Sequence, residues 1–194
     1  GRQQEALVPP QKRLSEVLRD DFGLTGVKVG CNAGDCGSCT ILMDGNQVCS
    51  CLVSAAQAND RMLVTVEGMG SNGFLSRVQE ALYRHGAAQC GICTPGVLAA
   101  ATHLLGRKQN PTKQEILDAM GGVLCRCTGY KKIVDALLDC TKSGVPRCPE
   151  VNDAVGAPVG RLDGLEKIEG KAVFAADGIP ADSLWLRVVR SPHA

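Results

Sequence analysis

The sequence is poor in aromatic residues, which fill only 3% of its 194 positions. Aromatic rings normally carry much of the buried area of a core. A core built from Leu, Val, Ile and Ala therefore needs another source of stability, and bound metal can supply it. Long apolar runs are missing too. No stretch approaches the roughly 18 residues of a spanning helix, and no basic-then-apolar leader opens the chain. The expectation is a soluble, cytoplasmic protein that does not enter a membrane. The formal net charge is +1, with no run of Lys or Arg, which removes the electrostatic ground for a nucleic-acid partner. His85, His103 and His193 stand apart from one another and suggest surface or capping roles.

Cysteine, by contrast, is abundant: there are 11. Such a count fits either a disulfide framework or a set of thiolate ligands. An odd total and a pair separated by one residue, Cys125 and Cys127, argue against disulfides. Cys31, Cys36 and Cys39 follow the C-x4-C-x2-C spacing of plant-type 2Fe-2S proteins. Either Cys49 or Cys51 can complete that set, because residues two apart on a strand point to one face. Gly30, Gly34 and Gly37 suit a loop whose backbone N–H groups approach sulfur. The second set is Cys90 and Cys93 with Cys125 and Cys127, each pair just ahead of an expected helix whose positive end favours a negatively charged cluster. Structural zinc is the bland alternative for both sets. Cys140 and Cys148 are left over as incidental thiols.

The punctuation divides the chain. A helix is expected over Lys12 to Asp20. A hairpin follows over Thr40 to Met43, Asp44-Gly45 and Gln47 to Val48, with a further strand from Met62 to Val66. Gln3 to Val8 reads as the second strand of a hairpin whose first strand is missing. Helical periodicity then marks Leu75 to Leu82, ending at Gly86, and Pro95 to Leu105, closed by Gly106. Thr112 with Glu115 forms a capping box for a helix to Met120, and Tyr130 to Leu138 completes a small bundle. The fold class is α+β. Val173 to Ala175 and Leu184 to Val189 resemble strands with nothing to pair with, and the chain reads as truncated at both ends.

Four motifs in order, Gly26-Val27-Lys28-Val29-Gly30-Cys31, Cys36-Gly37-Ser38-Cys39-Thr40, Gln89-Cys90-Gly91-Ile92-Cys93-Thr94-Pro95-Gly96 and Cys125-Arg126-Cys127-Thr128-Gly129-Tyr130, resemble the iron-sulfur region of the molybdenum hydroxylases, the xanthine dehydrogenase and aldehyde oxidoreductase family. The resemblance implies a ferredoxin-like β-grasp domain over residues 1–70 and a four-helix-bundle 2Fe-2S domain over 71–142. It puts the ligand of the first cluster at Cys51, so that Cys31, Cys36, Cys39 and Cys51 hold one 2Fe-2S cluster and Cys90, Cys93, Cys125 and Cys127 the other. It also implies contacts from Gln89 and Cys127 to a molybdopterin-type molybdenum cofactor. Val155-Gly156, Arg161-Leu162-Asp163-Gly164, Lys167, Gly170-Lys171-Ala172 and Arg190-Ser191-Pro192-His193-Ala194 look like the opening of the family's molybdopterin-binding domain, from 161 to 194 after a linker over 143–160. The implied enzyme oxidises a purine-type heterocycle or an aldehyde with oxygen from water. Electrons would leave through both clusters to FAD on a partner subunit or to a soluble acceptor, within an oligomer. The other reading is a separate small iron-sulfur subunit of a carbon monoxide dehydrogenase-like complex. The catalytic residues of the molybdenum site would lie outside this chain.

Overall fold

The computed structural model describes residues 1–70, 75–140, 150, 152, 153, 155–157 and 159–193. Most of the expected 143–160 linker, together with Cys148 and Ala194, lies outside the described residues.

The first unit is a small sheet against one short helix. The helix α1 (Leu14–Glu16) continues as a π-helical turn over Val17–Asp21, and buries Leu14, Val17 and Leu18. Strands β1 (Thr40–Met43) and β2 (Asn46–Cys49) form the expected hairpin, with Thr40 opposite Cys49 and Met43 opposite Asn46. Asp44 (φ 50) and Gly45 (φ 80) make the turn, the positive-φ pair that matches the twist of the strands. A short strand β3 (Leu63–Val64) pairs antiparallel with the other side of β1, giving the order β2-β1-β3. Leu14, Leu18, Val27, Cys39, Ile41 and Cys51 share one buried cluster.

Residues 3–8 do not form the expected strand: Gln3 to Leu7 are exposed and without regular structure. Pro9 and Pro10 follow directly, and a residue without an N–H cannot extend a ladder. Leu184 to Val189 likewise has no regular structure, with Trp185 93% exposed. Ala175–Asp177 is a 3-10 turn rather than a strand. Apolar alternation alone does not make a strand where no partner edge is present.

The second unit is helical. Between α1 and this unit lies the single turn α2 (Ala55–Ala58). Four helices then follow: α3 (Arg77–Arg84), α4 (Thr94–Arg107), α5 (Lys113–Met120) and α6 (Lys131–Leu138). Helix α4 runs through Gly106 instead of stopping there, since Gly costs a helix only about 1 kcal/mol and Leu105 still has core neighbours. Its Ala99, Ala100 and Ala101 are fully buried, and the helix as a whole packs across β1. The α5 start is the expected capping box: Glu115 N donates to Thr112 Oγ1 at 3.3 Å, and Thr112 N donates to Glu115 Oε2 at 2.8 Å. Thr112→Ala should cost about 1 kcal/mol, read as a lower denaturant midpoint at unchanged slope.

A further helix, α7 (Gly164–Glu169), packs against α3 and α4. Buried Gln79 fixes it by donating Nε2 to the Ile168 carbonyl at 3.2 Å. Beyond α7, Asp177 accepts hydrogen bonds from Arg19 and Lys28, both in the first unit, and Lys28 lies over the Phe174 ring, 4.4 Å from its centroid. The segment after the linker is thus seated on both units.

Candidate metal centres

The first set of thiols is carried by the loop between Gly30 and β1. Positive φ at Asn32 (56°), Gly34 (83°) and Gly37 (67°) curls this loop, and its backbone N–H groups turn inward. Ala33 N and Cys36 N point at Cys31 Sγ from 3.4 and 3.3 Å, and these donors hold the Cys31 thiol down at about 7. Gly30 sits so close that a Cβ there would fall 2.9 Å from Cys36 Sγ. Strand β2 ends at Cys49, and Cys51 follows in a 3-10 turn over Ser50–Leu52. The two candidates therefore do not share a strand face, contrary to the alternation expected from sequence. Buried Cys51 lies beside Cys39, and burial, followed by the Cys39 contact, pushes its thiol up to about 11. Cys49 lies instead 3.9 Å from Thr40 Oγ1 and 3.9 Å from the Gly34 carbonyl.

The second set gathers two helix starts. Cys93 is the N-cap of α4 and is buried, whereas Cys90 is exposed. Cys125 and exposed Cys127 precede α6, whose N-cap is Tyr130 in the left-handed region at φ 64. That residue is held in place by its hydroxyl, which accepts from Cys125 N and donates to the Val123 carbonyl, both at 3.0 Å. Cys93 lies beside Cys125, and Cys90 beside Cys127. Burial raises the Cys90 and Cys93 thiols. At Cys125 burial is outweighed by hydrogen bonds from Thr128, and the thiol is lowered.

Among the described residues the ten cysteines are free thiols, and no three His, Cys, Asp or Glu side chains converge on a point that would hold one metal ion. A 2Fe-2S core asks for something different, two thiolates on each of two irons, with N–H groups aimed at sulfur. Two sets of four thiols, one lined by inward N–H groups, fit that demand.

The two sets stand back to back. Leu124 N, next to Cys125, donates to the Cys36 carbonyl at 2.9 Å. A side chain on Gly37 would run into the Gly122 carbonyl, and the Gly37 carbonyl fills the space a Cβ on Gly96 would need. This junction was not foreseen from sequence; the glycines gave its only signal. Gln89 is half-buried, and its carbonyl accepts from Lys167. Among the described residues no helix is long and apolar enough to cross a membrane.

Comparison with known proteins identifies both units of the chain. Residues 1–64 match a 2Fe-2S iron-sulfur cluster binding domain, and residues 65–138 match a [2Fe-2S] binding domain. The small subunit of nicotine 6-hydroxylase from Paenarthrobacter nicotinovorans is 52% identical over 72% of this chain and 84% of its own length. Aldehyde oxidoreductase from Megalodesulfovibrio gigas is 35% identical over 98% of this chain but only 23% of its own. The crystal structure of the Desulfovibrio desulfuricans aldehyde oxidoreductase superposes on 91% of this chain and 21% of its own, with a TM-score of 0.84 at 35% identity. With both cluster-binding domains matched in order, the chain belongs to the two-cluster iron-sulfur region of the molybdenum hydroxylases, the xanthine dehydrogenase and aldehyde oxidoreductase family of oxidoreductases.

Proposed function

We propose that this chain is the electron-transfer portion of a molybdenum-dependent hydroxylase acting on an aldehyde or a nitrogen heterocycle. The observation that carries the reading is the junction itself: two four-thiol sets linked by the Leu124 to Cys36 hydrogen bond, each reaching the surface on its own loop. Cys31, Cys36, Cys39 and Cys51 would hold one cluster, and Cys90, Cys93, Cys125 and Cys127 the other. When bound, each cluster takes up one electron at a time, so the pair can empty a two-electron site in single steps. Exposed Cys127 and half-buried Gln89 are the groups assigned to the pterin, and the first loop, with exposed Ala33 and Asp35, faces the acceptor, FAD on a partner subunit or a soluble carrier. The arrangement we assign is a β-grasp unit over 1–70, a four-helix unit over 71–142 and the opening of the molybdenum domain from 161.

The small-subunit layout is supported by relatives such as nicotine 6-hydroxylase, whose small subunit this chain covers over 84% of its length. The seating of residues 164–177 on both units, together with the 98% coverage by aldehyde oxidoreductase, favours the fused layout instead. Low-temperature EPR of the dithionite-reduced protein, with metal analysis, tests the core of the reading. Two distinct S = 1/2 signals and about four irons per chain are expected. A silent spectrum with bound zinc would sink it.

A further inference from the structure

One lysine links the post-linker segment to the second thiol set. Lys167, on α7, donates Nζ to the Gln89 carbonyl at 2.8 Å. Its side chain is only 13% exposed, and its methylenes lie over Gly91, where a Cβ would fall 2.9 Å from Lys167 Cγ. Gly91 stands at φ 92 between Cys90 and the Ile92-Cys93 pair, so the loop's backbone and the lysine stem fill one another's space. The accepting carbonyl belongs to the peptide bond that leads into Cys90. Holding it restrains the backbone on which the Gln89 side chain and the Cys90 thiol are mounted.

The lysine is itself held in place. Gln79, 1% exposed, grips the Ile168 carbonyl, and Gly170, at φ 78, ends the helix. On its outer side the ammonium pairs with Asp163, which is 51% exposed and shared with Arg161. Solvent screens that carboxylate. The inner side of the ammonium, against the ligand loop, is far less screened. The potentials of iron-sulfur centres follow net charge, hydrogen bonding and exposure, and a fixed cation favours the more negative, reduced state.

We propose that Lys167 is a positioning residue for the second cluster: it fixes the Gln89-Cys90-Gly91 loop and holds that cluster's reduction potential above the value the thiols alone would set. The inference rests on the two-cluster reading above. In the holoenzyme, Lys167→Met removes the charge and keeps the stem. The reduction equilibrium of the second cluster should then shift about tenfold toward the oxidised form, about 59 mV for a one-electron couple. EPR-monitored redox titration reads this, the first cluster should stay put, and Lys167→Arg, which keeps the charge, should hold the second midpoint close to its native value. With about four irons per chain, an unchanged second midpoint, or equal movement of both clusters, overturns the role of Lys167. Should Lys167→Met lose iron, Lys167→Gln decides: it keeps a donor for the Gln89 carbonyl without the charge and should lower the second midpoint, and no fall overturns the proposal. Fewer than two cluster signals in the unaltered protein would overturn the underlying reading instead.

Discussion

A Cys93→Ser enzyme is expected to retain about two irons per chain in place of about four, and to lose turnover with acceptors at the flavin end while its molybdenum content stays unchanged. Cys93 is 8% exposed and caps α4 beside Cys125. The serine oxygen is a poorer iron ligand than thiolate. The first thiol set sits on a separate loop and keeps its four sulfurs, so one EPR signal should survive. Iron analysis and EPR read the loss, and turnover is followed at the flavin end. Full iron content, or normal turnover, would remove Cys93 from the electron path.

The second large effect is expected from Gly37→Ala. A methyl group there meets the Gly122 carbonyl head-on, and the position also requires φ +67. A non-Gly residue in that conformation costs about 1–3 kcal/mol, and an overpacked contact costs about as much again. The combined loss of about 3 kcal/mol or more corresponds to a fall of roughly 10 °C in Tm for a chain of this size. The strain falls on the junction, so the Cys36 to Leu124 hydrogen bond should break and transfer between the two sets should slow. Rapid-freeze EPR after reduction measures that rate. A variant with unchanged Tm and unchanged transfer would show that the junction yields without cost.

Much of this was legible because its causes are local. The Asp44-Gly45 turn, the Thr112 and Glu115 box and the proline after Thr94 each act within a few residues, and the hairpin, α5 and α4 lie where those signals put them. The cysteine spacing singled out seven candidate thiols for the same reason, since Cys31, Cys36 and Cys39 ride on one loop and the Cys90/Cys93 and Cys125/Cys127 pairs each on another, while the choice of Cys51 as the eighth came from the resemblance. What the sequence concealed depends on distant partners. Gln3 to Val8 and Leu184 to Val189 have strand-like composition, yet a strand exists only with an edge to bind. Cys49 and Cys51 could not be separated by alternation, because the strand stops between them in a turn with no strong signature. Lys167 enters the sequence reading only through the tail's resemblance, and its contact with the ligand loop, 78 residues away in sequence, emerges only once α7 is placed.

The passage of α4 across β1 also bears on the order in which the chain is made. The sheet is complete in sequence by Val64, yet the helix that covers β1 ends at Arg107. At about 5–20 residues per second of synthesis, that interval lasts a few seconds. Until α4 emerges, the Gly37 turn has no wall against Gly96, and the earliest cysteines wait uncovered beside a half-finished face. The late helix therefore sets the earliest moment at which the junction between the two units can close.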